Sequence, residues 1–188
     1  KRLFSCGRPT PFAGFALMDE DGRIVETGNI GEIVVRGGLV MKGYYKNPET
    51  TAEVSTYGWH HTGDLAYEDA EGFIYICDRK KEIIITGGFN VYPLEVEQVV
   101  LSHPAVQDCA VVGVPDDMWG EAIKAVVELK PGRTVDGDEL INLCKERIGS
   151  VKAPKSVDFV DDLPRSPVGK VTRKEVREWY WKGQDRQV

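Results

Sequence analysis

The sequence predicts an α+β fold in two parts: a small antiparallel β subdomain, followed by a C-terminal α+β domain in which a short sheet packs with helices. Three observations lead there. Up to Asp78 the chain holds four short runs rich in β-branched and aromatic residues, each bounded by turn signals. Beyond Asp78, apolar residues recur at helical spacing between further strand-like runs. The charged run "DRKKE", Asp78 to Glu82, lies where the two textures meet.

In the first part "GFALMD", "GEIVVRG", "GDLAYED" and "GFIYICD" read as strands, separated by the turn signals "DEDG", "TGNIG" and "EDAEG". "NPETTAEV" offers one short helix, with Asn47 as N-cap and Pro48 at the first helical position. In the second part "EIIIT" reads as a strand. "YPLEVEQVVLSHP" reads as a helix that begins near Pro93, carries Leu94, Val96, Val99 and Val100 at helical spacing, and stops at Pro104. Two strands, "VQDCAVVGV" and "AIKAVVEL", are joined by "PDDMWGE". A helix over Asp138 to Ile148 places Leu140, Ile141, Cys144 and Ile148 on one face, then come the strand "SVDFV" and a last helix from about Thr172 to Trp181. The organisation expected is 1–78 as a β-rich subdomain and 83–188 as the α+β domain; the charged 79–82 between them reads, alone, as a solvated charge run at the end of a strand and, more sharply, as a hinge.

Composition narrows the function classes. The 188 residues are 41% hydrophobic and 29% charged, as in globular proteins generally. The net charge is −6 and the basic residues are scattered outside "DRKKE", so nucleic acid is not an expected partner. The longest apolar runs fall far below the ~20 residues that span a bilayer, and "KRLFSCGRPTPF" has no apolar signal core. No transmembrane segment is expected, and a cytoplasmic location is. Cys6, Cys77, Cys109 and Cys144 lie dozens of residues apart without CxxC spacing, and His60, His61 and His103 form no ligand spacing, so no metal site is expected. Cys109 and Cys144, in apolar patterns, read as buried thiols.

Three motifs carry chemistry. "WHHTGDL" places Asp64 after a glycine at the entry of a strand, and an ionised carboxylate offers two acceptor oxygens to the paired hydroxyls of a ribose; alone, it reads as a residue that satisfies a turn. "TGGFNVYPLEVE" places Gly87 and Gly88 between a strand and a helix, where glycine allows positive φ and close approach of another molecule; alone, it reads as a tight turn. "LPRSPVGK" holds Lys170 beside Gly169 in a loop stiffened by Pro164 and Pro167. It lacks the leading glycine and trailing Ser/Thr of a P-loop, and a lone loop lysine is ordinarily just solvated.

In order and wording together, these stretches resemble the C-terminal part of the adenylate-forming superfamily: acyl-CoA synthetases, peptide-synthetase adenylation domains and beetle luciferases. The resemblance covers essentially the whole chain. It runs from "GRPTPFAGFALMDEDG" through "GEIVVRGGLVMKGYYKNPETTAEV", "GWHHTGDLAY", "DRKKEIIITGGFNVYPLEVE" and "GVPDDMWGEAIKAVV" to "KAPKSVDFVDDLPRSPVGKVTRKEVR". The wording of "ITGGFNVYPLEVE" is most similar to that of bacterial fatty-acyl or aryl CoA ligases.

That resemblance implies an AMP-forming acid–thiol ligase, which joins a carboxylic acid to AMP from ATP and passes the acyl group to CoA. It implies ATP, Mg2+ and coenzyme A as cofactors, and a small carboxylic acid and the chain's own N-terminal domain as partners. It implies that the C-terminal domain is mobile and swings between two poses. Asp64 and Arg79 would bind the nucleotide, Lys81 would be the hinge, and Lys170 would be the catalytic lysine of the first half-reaction. Gly87, Gly88 and Phe89 would line the CoA tunnel. The phosphate loop of the family lies upstream of "GRPTPFAGF", so the chain is expected to be a C-terminal fragment, inactive alone. Alternatives are an aryl-CoA or peptide-synthetase type of adenylation domain, or a binding module that kept the fold and lost the chemistry.

Overall fold

The structure, a computed structural model, describes residues 4–182. The chain separates into two compact units, one ending at Lys81 and the other beginning at Glu82. A 3-10 turn over Lys80–Glu82 covers the crossing point.

The first unit is an antiparallel sheet of five strands: β1 (Gly14–Met18), β2 (Gly31–Arg36), β3 (Ser55–Thr56), β4 (Trp59–Glu68) and β5 (Ile74–Arg79). β4 organises it. One edge of β4 pairs with β2, and the other is shared between β3 at its start and β5 at its end. Because successive side chains of a strand point to opposite faces, β1 contributes to two small cores. Ala16 and Met18 pack with Val34 and Trp59, while Leu17 packs with Ala66 and Ile74. The helix α1 (Pro48–Glu53) forms where the sequence puts its cap, since the Asn47 side chain accepts from the Thr50 N–H at 3.1 Å and Pro48 opens the first turn.

The second unit is built on a mixed sheet around the hairpin of β8 (Val106–Asp116) and β9 (Gly120–Leu129). The free edge of β9 takes β10 (Ser156–Val160) in parallel and, at its start, β6 (Ile84–Thr86), which forms a second hairpin with β7 (Phe89–Val91). The parallel pair requires a crossover, supplied by the helix α3 (Gly137–Ile148). Helix α2 (Pro93–Leu101) lies between β7 and β8, and α4 (Arg173–Glu178) closes the described chain.

β8 explains the layering. Its run "CAVVGV" is buried on both faces: Cys109 and Val111 pack with Val96, Val99 and Val100 of α2 and Leu140 and Cys144 of α3, while Ala110 and Val112 pack with Leu163 and Val176 of α4. A continuous apolar strand is what a sheet covered on both sides demands. The loop from Leu163 to Lys170 is therefore stitched to the sheet at each end by an inserted side chain, Leu163 before it and Val176 beyond it.

The fold class agrees with the sequence reading, with three local differences. The glycine pair does not lie between a strand and a helix but inside a hairpin, because β7 intervenes before α2. At three and two residues, β7 and β3 are too short to show a period. The last helix spans Arg173–Glu178 rather than Thr172 to Trp181.

Candidate functional site

Asp64 and Arg79 are direct partners in the β4–β5 register, just before a bulge at Leu65/Ala66. Arg79 Nε lies 3.0 Å from Asp64 Oδ1 in an ion pair, with the arginine side chain 70% exposed and the aspartate 29%. The second carboxylate oxygen has no hydrogen-bond partner among the described residues, so it remains able to accept from a ligand hydroxyl while Arg79 fixes the first. Behind this pair is a residue that sequence reading missed. Glu32, buried on β2, accepts from the Gly63 N–H at 3.0 Å through Oε1 and faces His61 Nδ1 at 3.1 Å through Oε2. It thus holds the backbone immediately before Asp64 from the neighbouring strand. A cleft of about 500 Å³ opens alongside, lined by Glu32, His61, Gly63, Tyr44, Arg79 and Lys81.

Gly87 and Gly88 form the two-residue turn of the β6–β7 hairpin, with φ of +55° and +82°. Consecutive positive φ values suit the turn to the twist of the strands it joins and exclude most side chains. Gly87 is restricted a second time: its N–H donates to Trp119 O at 3.0 Å, and a Cβ there would stand 2.4 Å from the Trp119 ring. Trp119 belongs to the β8–β9 turn, whose Asp116 carboxylate accepts from the Met118 and Trp119 N–H groups, both at 2.9 Å. Two tight turns are thereby stacked, and Phe89, Met118 and Trp119 all keep exposed surface around them. The arrangement presents bare backbone beside aromatic groups.

Lys170 follows a hairpin of its own. Arg165 and Val171 form an antiparallel bridge, the Ser166 N–H donates to Lys170 O at 2.8 Å, and the Gly169 N–H donates to Ser166 O at 2.8 Å. Pro167 presets the first central position of this turn. Gly169, at φ +80°, takes the left-handed position that a three-residue hairpin loop requires. The Lys170 N–H reaches Ser166 Oγ at 3.2 Å. The backbone of Lys170 is thus well tied, whereas its side chain is exposed and has no hydrogen-bond or ion-pair partner among the described residues. A fixed base carrying an unengaged ammonium can stabilise negative charge on a partner brought to it.

Within the first unit the structure brings Asp64 and Arg79 into contact, with Lys81 lining the adjoining cleft. Within the second, Gly87, Gly88 and Phe89 share one hairpin and Lys170 occupies another. Among the described residues no group of three or more His, Cys, Asp or Glu side chains could hold a metal ion. No helix among them is long and apolar enough to cross a membrane.

Comparison with known proteins gives these placements a context. A model of the AMP-binding enzyme family matches residues 1–45, and a model of the AMP-binding enzyme C-terminal domain matches residues 95–170. The medium/long-chain-fatty-acid–CoA ligase FadD8 of Mycobacterium tuberculosis is 51% identical over 195 residues, covering 100% of this chain and 34% of its own length. Feruloyl-CoA synthase of an Amycolatopsis species is 47% identical over 177 residues, covering 94% of this chain and 36% of its own. The crystal structure of ATP-bound MatB from Rhodopseudomonas palustris superposes with a TM-score of 0.88 at 39% identity, covering 94% of this chain and 36% of that one. The chain thus spans about a third of the length of the curated relatives it matches.

Proposed function

The chain belongs to the AMP-binding, adenylate-forming enzymes, and from that premise we propose that it carries the catalytic lysine and the nucleotide-gripping pair of an AMP-forming fatty-acid–CoA ligase. The acid pocket and phosphate loop would come from the part of its relatives that this chain does not span. In the first half-reaction a carboxylate oxygen attacks the α-phosphorus of ATP, the bond to the β-phosphate oxygen breaks, and pyrophosphate leaves. Lys170 offsets the negative charge gathered there. Asp64 accepts from the ribose hydroxyls, with Arg79 steadying it. In the second, the thiol of CoA attacks the acyl carbonyl and AMP departs with the electron pair of the mixed anhydride. The pantetheine arm passes the Gly87–Gly88 turn beside Phe89. No strong base is needed, because an acyl adenylate is a good electrophile. Mg2+ would arrive with ATP.

The single observation that carries this reading is the Lys170 hairpin, which ties down the backbone under an ammonium left without a partner among the described residues. The change between half-reactions would pivot at Lys81, a polar, exposed residue in a one-turn 3-10 segment that can absorb φ and ψ changes without moving apolar surface through water. Fatty acids are favoured as substrates by the names of several relatives, FadD8 among them. An aromatic acid is the second reading, favoured by the 47% identity to a feruloyl-CoA synthase. The same reading puts the enzyme in the cytoplasm, where ATP and CoA are available.

The test is acid-dependent exchange of labelled pyrophosphate into ATP, followed by detection of the CoA thioester, with full-length protein and a panel of fatty and aromatic acids. Exchange with fatty acids in preference to aromatic ones is the expected result. Exchange with aromatic acids alone would replace the substrate class, and none with any acid would overturn the ligase reading.

A further inference from the structure

Asp108 on β8 and Glu128 on β9 are direct cross-strand partners. Like charges placed opposite each other in an antiparallel pair are unfavourable unless a cation joins them. Here Arg165 does so: Nη1 lies 2.8 Å from Asp108 Oδ2 and Nη2 lies 2.9 Å from Glu128 Oε2. The planar guanidinium fork suits this bridging in a way that a lysine ammonium does not. The same Glu128 oxygen accepts the Leu163 N–H at 3.2 Å, and Arg165 Nη1 also approaches Gly169 O, the residue before Lys170, at 3.5 Å. One guanidinium therefore touches the sheet at two strands and the far arm of its own hairpin at Gly169, while the Glu128 oxygen it shares also holds the Leu163 N–H.

We propose that Arg165 is the positioning residue for Lys170, fixing the lysine hairpin to the β8–β9 platform through the Asp108–Glu128 carboxylate pair. The inference rests on the reading of Lys170 as the lysine of adenylate formation. Leu163 and Val176 anchor the loop from below by burial, but apolar insertion leaves the hairpin free to rock about those points, and the two ion pairs set its angle. Displacing a charged group by about 1 Å from its working position costs on the order of 10² in rate. A bridge of this sort matters to the half-reaction that uses Lys170 and is idle in the other.

The experiment compares Arg165→Ala, Arg165→Lys, the pair Asp108→Asn with Glu128→Gln, and Lys170→Ala in the full-length protein. Each is assayed for pyrophosphate exchange and, separately, for thioester formation from supplied acyl adenylate. Arg165→Ala is expected to lower the rate of adenylation by about 10- to 100-fold, with the KM for ATP and the thioester step unchanged. Arg165→Lys should recover only part of the loss. Removing the two carboxylate charges should give the same defect, and combining it with Arg165→Ala should add nothing, as for residues acting as one unit. An equal fall in both half-reactions, or full additivity, would overturn the proposal by marking the residue as merely structural. Normal adenylation in Arg165→Ala alongside a crippled Lys170→Ala would overturn it while sparing the lysine. Normal adenylation in Lys170→Ala would instead remove the reading beneath it.

Discussion

Arg79 reaches across the β4–β5 pair and sets Nε 3.0 Å from Asp64 Oδ1 in an ion pair, so the carboxylate proposed to hold the ribose is engaged by its strand neighbour on one oxygen only. Removing the carboxylate takes away a charge-assisted acceptor, and hydrogen bonds to charged groups contribute roughly 1.5–3 kcal/mol. Asp64→Ala should therefore raise the KM for ATP by about 10- to 100-fold in pyrophosphate exchange. Its melting temperature should hardly move, since a pair this exposed contributes little to folding. A large loss of thermal stability with an unchanged KM would assign Asp64 to the fold instead.

Lys170→Ala should separate the two half-reactions. Adenylation should fall by on the order of 10² to 10³, the usual cost of losing one preorganised charge-stabilising group. Thioester formation from added acyl adenylate should persist, and so should the fold, because the hairpin is held by backbone hydrogen bonds and by Leu163, not by the lysine side chain. Loss of both half-reactions together would count against the assignment.

The neighbouring glycines of the β6–β7 turn should respond unequally to alanine. Both have positive φ, which costs an alanine about 1–2 kcal/mol. At Gly88 a Cβ meets nothing within 4 Å, whereas at Gly87 it would stand 2.4 Å from the Trp119 ring. Overpacking adds about 1–3 kcal/mol, so Gly87→Ala should unfold at clearly lower denaturant than Gly88→Ala. Shrinking the obstacle with Trp119→Ala should narrow the gap between them. Equal midpoints for the two alanine variants would show that the turn, and not the ring, sets the requirement for glycine.

What the sequence made legible was local. Asn47 and Pro48 declare the start of α1, the apolar run "CAVVGV" declares a strand, which the structure covers on both faces, and Pro167 with Gly169 declares the turn under Lys170. What stayed hidden depends on register between distant strands. Arg165 meets its carboxylates 57 and 37 residues away, and Gly87 meets Trp119 only because β6 pairs with the start of β9. Glu32 supports Asp64 from a strand whose pattern announces only alternation. No short-range periodicity encodes such pairings, so the residues proposed to meet ligands could be named from the sequence while those that hold them in place could not.

The four thiols should separate by environment. Cys6 is exposed and Cys77 half-buried, while Cys109 and Cys144 lie in the core of the second unit. Burial pushes the Cys144 thiol up to about 11 and raises that of Cys109 further, with the Glu97 carboxylate adding to the effect. Only the thiolate is reactive, and at pH 8 a thiol with a pKa near 11 is ionised to about one part in a thousand, against roughly a quarter for an ordinary one. In the native protein an alkylating reagent at pH 8 should therefore modify Cys6 first and Cys77 more slowly. Cys109 and Cys144 should remain unmodified until denaturant is added, a sequence that peptide mass mapping resolves. Rapid labelling of Cys144 without denaturant would mean that α3 opens readily from the sheet, and the packing of the second unit would need revision.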